Sequence, residues 1–324
     1  MKKVAFIIPA HINPNVKFGG VLQLYLLAKC LTDHSSIFDG KVLRLGPELT
    51  WLDPNLKKLE ESDATLHGYD SVVIPEVIPQ ATWWWLGVPN HYLYAQAFAE
   101  EYVKVPLNRL SNKAYWDLGY TGVFAVSPFV AHKLDEYRLW DKEIPVIPNI
   151  FTKEWLDTVG EVRKHTRRHQ AKVLFVDRKG CEVFNDVLIK KISSDKTRDW
   201  EVSRISNATE RDVIKEMASS KCVVLNYREE GFYRMALETI LCGCVPIVYP
   251  AGGGEYFLAH RRNSLIVDDY DDIAKYWYYI KYVTSSNFYD DLPSLDFSVT
   301  IPHTEEAVCK ILEESLIKKA NANA

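Results

Sequence analysis

Two glutamates, Glu230 and Glu238, stand with seven residues between them and enclose the run Gly231-Phe232-Tyr233-Arg234-Met235-Ala236-Leu237. The apolar helix they open leads straight into Cys242-Gly243-Cys244-Val245-Pro246-Ile247-Val248, a buried strand. An open α/β sheet binds ligands in the crevice outside the carboxyl ends of its strands, and both carboxylates fall there. An ionised carboxylate is an acceptor-only group, suited to taking hydrogen bonds from a pair of hydroxyls. Glu238 lies among Met235, Ala236, Leu237, Ile240 and Leu241. A charge beside buried surface is costly unless paired, so a bound partner would explain it. Glu230 precedes the helix and is expected to point into the crevice. Taken alone, the pair is equally well read as a first-turn carboxylate favoured by the helix dipole and a solvated helix residue.

Three further segments have the chemistry of anion binding. Val173-Leu174-Phe175-Val176-Asp177-Arg178-Lys179-Gly180 ends a buried strand and offers two cations where the next helix begins. Lys17-Phe18-Gly19-Gly20-Val21 opens the first long helix, and Gly252-Gly253-Gly254-Glu255 follows a strand. Glycines at a helix start let backbone N–H groups approach an anion closely. Any one of them alone is as readily a turn.

The elements that must position these residues alternate along the whole chain. Short apolar runs at 4–8, 42–45, 71–74, 91–96 and 123–126 read as parallel strands, with helices near 21–31, 54–61, 111–117 and 128–137. The segment 144–149 closes this half with a short strand and proline punctuation. A second set has strands at 172–176, 200–205, 222–226, 245–249 and 264–267, with helices near 181–192, 209–219, 232–241, 255–259 and 271–283. The expected architecture is α/β: two Rossmann-like domains, 1–150 and 151–302, facing a central cleft, then an amphipathic helix and tail at 303–324. Asp268, Asp269, Asp271 and Asp272 read as a helix-capping cluster rather than a metal site.

Composition bounds the function. The 324 residues are 47% hydrophobic and 25% charged, enough for two ordinary cores. The absence of a run of about 18 apolar residues argues against an integral membrane segment. Six scattered cysteines form no CxxC pair and suit a reduced, cytoplasmic protein. A net charge of −4 supplies no global attraction to polyanions, although Arg163-Lys164-His165-Thr166-Arg167-Arg168-His169 is locally basic. That run reads first as a solvated face, and otherwise as a patch for phosphates or anionic lipid.

The Glu230–Glu238 spacing resembles the Glu-x7-Glu signature of retaining nucleotide-sugar glycosyltransferases, family 4 in particular. Val126-Ser127-Pro128 and Pro148-Asn149 resemble that family's serine segment and interdomain motif. Asp177-Arg178-Lys179-Gly180 resembles its Gly-Arg and Lys-Gly donor clamp, with Asp177 where glycine is usual and the spacer missing. The resemblance implies the GT-B fold and transfer of a sugar, with retention, from a nucleotide-diphosphate sugar to a hydroxyl. The donor is a UDP-sugar by default or a GDP-sugar, and neither a metal nor another cofactor is implied. It assigns Glu230, Arg178 and Lys179 to catalysis, and Glu238, Gly231, Phe232, Gly19, Gly20, Gly253 and Gly254 to the donor. Gln96, His11 and Trp84 are the expected acceptor or sugar contacts. Gln96 stands near where family members often carry a histidine, and it can donate to a hydroxyl but cannot act as a base. The expected acceptor is a glycan or lipid-linked glycan of a bacterial surface polysaccharide, modified in the cytoplasm or at the inner membrane face. The alternatives are a phage-type enzyme acting on hydroxymethylated pyrimidines in DNA, and an inactive nucleotide-binding module.

Overall fold

The computed structural model describes residues 1–10, 12–15, 19–61, 68–76, 87–97, 115–177, 180–206, 208–285 and 304–321. The chain divides into two compact units, Met1–Phe151 with Pro302–Ala324, and Thr152–Ile301.

Unit 1 begins with β1 (Lys2–Ile8), α1 (Gly19–His34) and β2 (Phe38–Arg44). The short α2 (Pro54–Lys57) leads to β3 (Ser71–Pro75), β4 (Asn90–Ala95), a 3-10 turn at Tyr115–Leu118, β5 (Gly122–Ala125) and α3 (Pro128–Glu136). All its strand pairings are parallel, in the order β2-β1-β3-β4-β5. Val4–Ile8, Val72–Ile74 and Tyr92–Ala95 are buried throughout, which is why they read as unbroken apolar runs.

Unit 2 contains α4 (Lys153–His165), β6 (Lys172–Val176), α5 (Glu182–Ser194), β7 (Glu201–Ile205), α6 (Glu210–Ser219) and β8 (Cys222–Leu225). It continues with α7 (Arg234–Leu241), β9 (Val245–Val248), β10 (Leu265–Ile266) and α8 (Ile273–Val283). Its parallel sheet runs β10-β9-β8-β6-β7. Read from the β7 edge, this is the same 2-1-3-4-5 order as unit 1. In each unit the strand order reverses beside the first strand, between β1 and β3 and between β6 and β8, where such sheets form their crevice.

The last helix, α9 (Glu305–Asn321), belongs with unit 1 and packs on α1, where Cys30 Sγ donates to the Glu305 carbonyl at 3.0 Å. The buried Gln23 of α1 ties down the end of the first half: its Nε2 donates to the Pro148 carbonyl, and its Oε1 accepts from Ile150 N–H at 3.0 Å. The closing segment pairs at a single bridge, Val146 with Ala125. All six cysteines are free and buried. Among the described residues no helix is long and apolar enough to cross a membrane.

Four elements differ from the sequence reading. The helix expected near 111–117 appears among the described residues as the 3-10 turn Tyr115–Leu118, and positions 111–114 lie outside them. The helix expected at 54–61 stops at Lys57 because the chain turns to pair Glu60 with Val42 beside β2. The one expected at 255–259 is a series of turns, closed where the Asn263 side chain accepts the Ala259 N–H at 2.8 Å. Between the two sets of strands, where the sequence reading assigns no element, lies the α4 helix, capped by Thr152, whose hydroxyl accepts from Trp155 N–H.

Candidate active site

The Glu230 loop leaves β8 on one side of the unit 2 switch point and is locked onto the glycine loop that follows β9. Glu230 N–H donates to the Ala251 carbonyl at 2.9 Å, and Gly253 N–H donates to the Glu230 carbonyl at 2.8 Å. A Cβ on Gly253 would lie 2.3 Å from the Glu230 oxygen and 2.5 Å from the Gly231 carbonyl, so the approach demands glycine. Two segments singled out separately in the sequence, Glu230-Gly231 and Gly253-Gly254, are thereby one unit. Gly254 N–H completes the turn by donating to the Pro250 carbonyl at 3.0 Å. The Phe232 side chain is buried against Tyr256 and Phe257, so only its backbone remains to meet a ligand.

Tyr233 starts α7 with a left-handed backbone, φ 55° and ψ 46°. That conformation costs about 1–2 kcal/mol in a residue with a side chain. Full burial of its ring beside Tyr227, centroids 5.6 Å apart, offsets it. No side chain caps the first N–H groups of α7.

Glu238, one turn into α7, has the partner that its apolar surroundings require, and it is Arg234. The guanidinium Nε donates to Glu238 Oε1 at 2.7 Å, with the two side chains 20% and 15% exposed. Sequence reasoning missed this residue, although the i,i+4 spacing was its signal.

On the other side of the switch point β6 ends at Asp177. Arg178 and Lys179 lie outside the described residues, and the structure fixes what flanks them. Asp177 Oδ2 accepts from Arg204 Nε at 2.7 Å and Oδ1 from Asn185 Nδ2 at 2.9 Å, while its N–H donates to the Ile205 carbonyl. Burial pushes this carboxyl up, but the Arg204 and Asn185 hydrogen bonds outweigh it and hold the group below the usual Asp range. Asp177 is therefore a girder at the end of β6, tying it to Arg204 of β7 and to Asn185 of α5. Gly180 follows with φ 80°, and α5 starts at Cys181 with no side-chain cap. By contrast Asp53, Ser127, Thr152, Thr209 and Asp272 each cap their helices. Among the helices whose N-cap residue is described, those without a side-chain cap hydrogen bond, α5 and α7, follow β6 and β8, the strands flanking the switch point. Asp272, within the acidic cluster, accepts from Lys275 N–H, the capping role expected of it.

In unit 1, Gln96 lies just past β4 and Gly20 in the first turn of α1. Gln96 Nε2 donates to the Gly20 carbonyl at 3.0 Å, and a Cβ on Gly20 would lie 2.0 Å from Gln96 Oε1. Gly20 is glycine because Gln96 rests on it, whereas no described residue would lie within 4 Å of a Cβ on Gly19. His11, Trp84 and the adjoining Trp83 and Trp85 lie outside the described residues.

The basic run is not wholly solvated. Arg163 Nη1 donates to the Leu241 carbonyl at 3.1 Å and Arg168 Nη2 to that of Cys242 at 3.4 Å. Both satisfy the C-terminal end of α7, where the helix dipole favours cations.

No family model matches the chain, and no curated protein matches it in sequence. Solved structures do match it in fold. HepE of Anabaena, in complex with UDP and glucose, superposes with a TM-score of 0.67 at 15% identity, covering 98% of this chain and 100% of that one. Sucrose-phosphate synthase of Thermosynechococcus elongatus gives 0.64 at 14%, with 100% of both chains covered. A glycosyltransferase of Rickettsia africae gives 0.62 at 15%, covering 99% and 98%. The fold is that of GT-B glycosyltransferases, with two Rossmann-like domains.

Proposed function

We propose that this chain is a retaining glycosyltransferase that moves a sugar from a nucleotide-diphosphate sugar to a hydroxyl acceptor. The carrying observation is the Glu230–Gly231 loop clamped by Gly253 at the mouth of an uncapped helix, with Glu238 one turn further in. The N-termini of α5 and α7 receive the diphosphate, since uncapped N–H groups and the helix dipole both favour an anion. Glu238 accepts the ribose hydroxyls while Arg234 holds it in place. Backbone at Gly231 and Phe232 and the Gly253–Gly254 loop border the donor, and Glu230 attends the transferred sugar. Arg178 and Lys179 neutralise the leaving phosphate, so the reading calls for no metal ion. Losing one such donor costs on the order of 100-fold in turnover. The bond from the anomeric carbon to phosphate breaks as the bond to the acceptor oxygen forms, and the departing phosphate oxygen takes the acceptor proton on the same face.

UDP is the base to test first, because HepE holds UDP and glucose on the same fold. The acceptor is a growing surface glycan, met in the cytoplasm or at the inner membrane face. The test is transfer of radiolabel from UDP- and GDP-sugars to plain DNA, DNA with hydroxymethylated pyrimidines, and a mixture of free and lipid-linked oligosaccharides. Label in the oligosaccharides alone supports the reading. Label in modified DNA alone replaces the acceptor, and no transfer with any donor removes the activity.

A further inference from the structure

Glu76 is the residue that follows β3, so it stands on the unit 1 switch point, across from the β1–α1 turn. One carboxyl oxygen, Oε1, accepts the Ala97 N–H at 2.9 Å. The other, Oε2, is shut off from solvent and has no hydrogen-bond partner among the described residues, although the residue as a whole keeps some exposed surface. Ala97 is the neighbour of Gln96, whose amide rests on Gly20. One chain of contacts thus joins the ends of β3 and β4 to the start of α1. A buried carboxyl oxygen left without a partner is costly, and it persists at positions where a ligand supplies the missing bond.

We propose that Glu76 is the acceptor-recognition residue of unit 1, its Oε2 pairing with a hydroxyl of a sugar acceptor beside Gln96. The proposal rests on the glycosyltransferase reading and adds the residue that selects the second substrate. Burial pushes the Glu76 carboxyl up to about 7, against the pull of the backbone N–H groups of Gln96, Glu76 and Ala97. Acid and carboxylate are then both populated near neutrality. A hydroxyl donates to the carboxylate and accepts from the acid, so it satisfies Oε2 in either state. An ammonium group would suit the carboxylate alone, and a phosphate would be repelled by it.

The experiment compares the full-length protein with Glu76→Met, which keeps the length of the side chain and removes both carboxyl oxygens. UDP-glucose is the donor probe, and the oligosaccharide mixture is the acceptor. Hydrolysis of UDP-glucose by water is followed alongside transfer. The expected result is an acceptor KM raised at least tenfold, with the UDP-glucose KM and its hydrolysis within twofold. An unchanged acceptor KM beside normal transfer overturns the role of Glu76 and leaves the glycosyltransferase reading standing. A wild-type protein that neither binds nor consumes any of the nucleotide sugars overturns both. Should Glu76→Met fail to fold, Glu76→Asp retracts the carboxyl by one methylene, and an unchanged acceptor KM in that variant overturns the proposal equally.

Discussion

Glu238→Gln separates a helix-stabilising carboxylate from a ligand-binding one. In the structure the group is paired with Arg234 at 2.7 Å, with side chains 20% and 15% exposed. Two unit charges about 4 Å apart attract by about 4 kcal/mol at an effective dielectric constant near 20. Desolvation and side-chain ordering cancel most of that, and exposed helix pairs retain only about 0.3–0.5 kcal/mol. A net contribution near 1 kcal/mol is therefore expected for this half-buried pair, a fall of roughly 2–4 °C in melting temperature. Hydrogen bonds from two ribose hydroxyls to a carboxylate are worth more, about 1.5–3 kcal/mol each. Gln retains one acceptor oxygen and loses the charge, so about 2 kcal/mol goes, near 30-fold in UDP affinity. Arg234→Ala should give the same loss of stability and only a few-fold loss of UDP affinity, because it frees Glu238 without removing it. Calorimetric titration with UDP, run beside melting of both single variants and the double variant, reads both quantities. A folded Glu238→Gln protein that binds UDP within twofold of the wild type would refute the ribose role and leave the ion pair as its whole function.

Gly253→Ala drives a Cβ to 2.3 Å from the Glu230 carbonyl. Overpacking of this kind costs about 1–3 kcal/mol and displaces the Glu230 loop, so melting temperature and UDP affinity should fall together; loss of neither would show that the contact can relax freely. Asp177 is held below the usual Asp range, so its stabilisation is present above the unfolded value near 3.9 and is lost as pH falls through the folded one. Asp177→Asn should therefore flatten the acid side of stability in urea melts compared at pH 6 and pH 3, and equal slopes would count against the network. Arg163→Ala with Arg168→Ala removes two cations from the end of α7, expected to cost about 0.3–1 kcal/mol each. Binding of a duplex DNA probe should not change in that double variant, and a clear loss would restore the basic run as a polyanion site.

The sheets were readable because every central strand is buried on both faces. Val4–Ile8, Val173–Val176 and Cys222–Leu225 appear as apolar runs whatever surrounds them. Helix ends were less so: the turn after Lys57 is set by a bridge to Val42, and the turns at 255–257 by a glycine run and Asn263, all tertiary effects. Within the site, the clamp of Gly253 on Glu230 was present in the sequence only as two separate motifs, since nothing local ties a glycine to a carbonyl 23 positions earlier. Arg234 was locally readable from its spacing. Glu76 was not, because an acid after an apolar strand announces a partner in most proteins, and here the one oxygen's lack of one is a property of packing.

The two units use one topology for opposite electrostatics. At the switch point of unit 2 the N-cap residues of the flanking helices, Cys181 and Tyr233, make no side-chain cap hydrogen bond, and the strand-end acid Asp177 is paired with Arg204. On the proposed reading, that surface receives the anion. At the switch point of unit 1 the strand-end acid is Glu76, with no cation bound to it among the described residues and an oxygen still to be satisfied. That surface disfavours an anion and suits a neutral hydroxyl. On the proposed reading, a reaction between a diphosphate and a hydroxyl uses one surface of each kind, and sheets of the same order provide them through acids that are satisfied differently, Asp177 after the first strand of unit 2 and Glu76 after the third strand of unit 1.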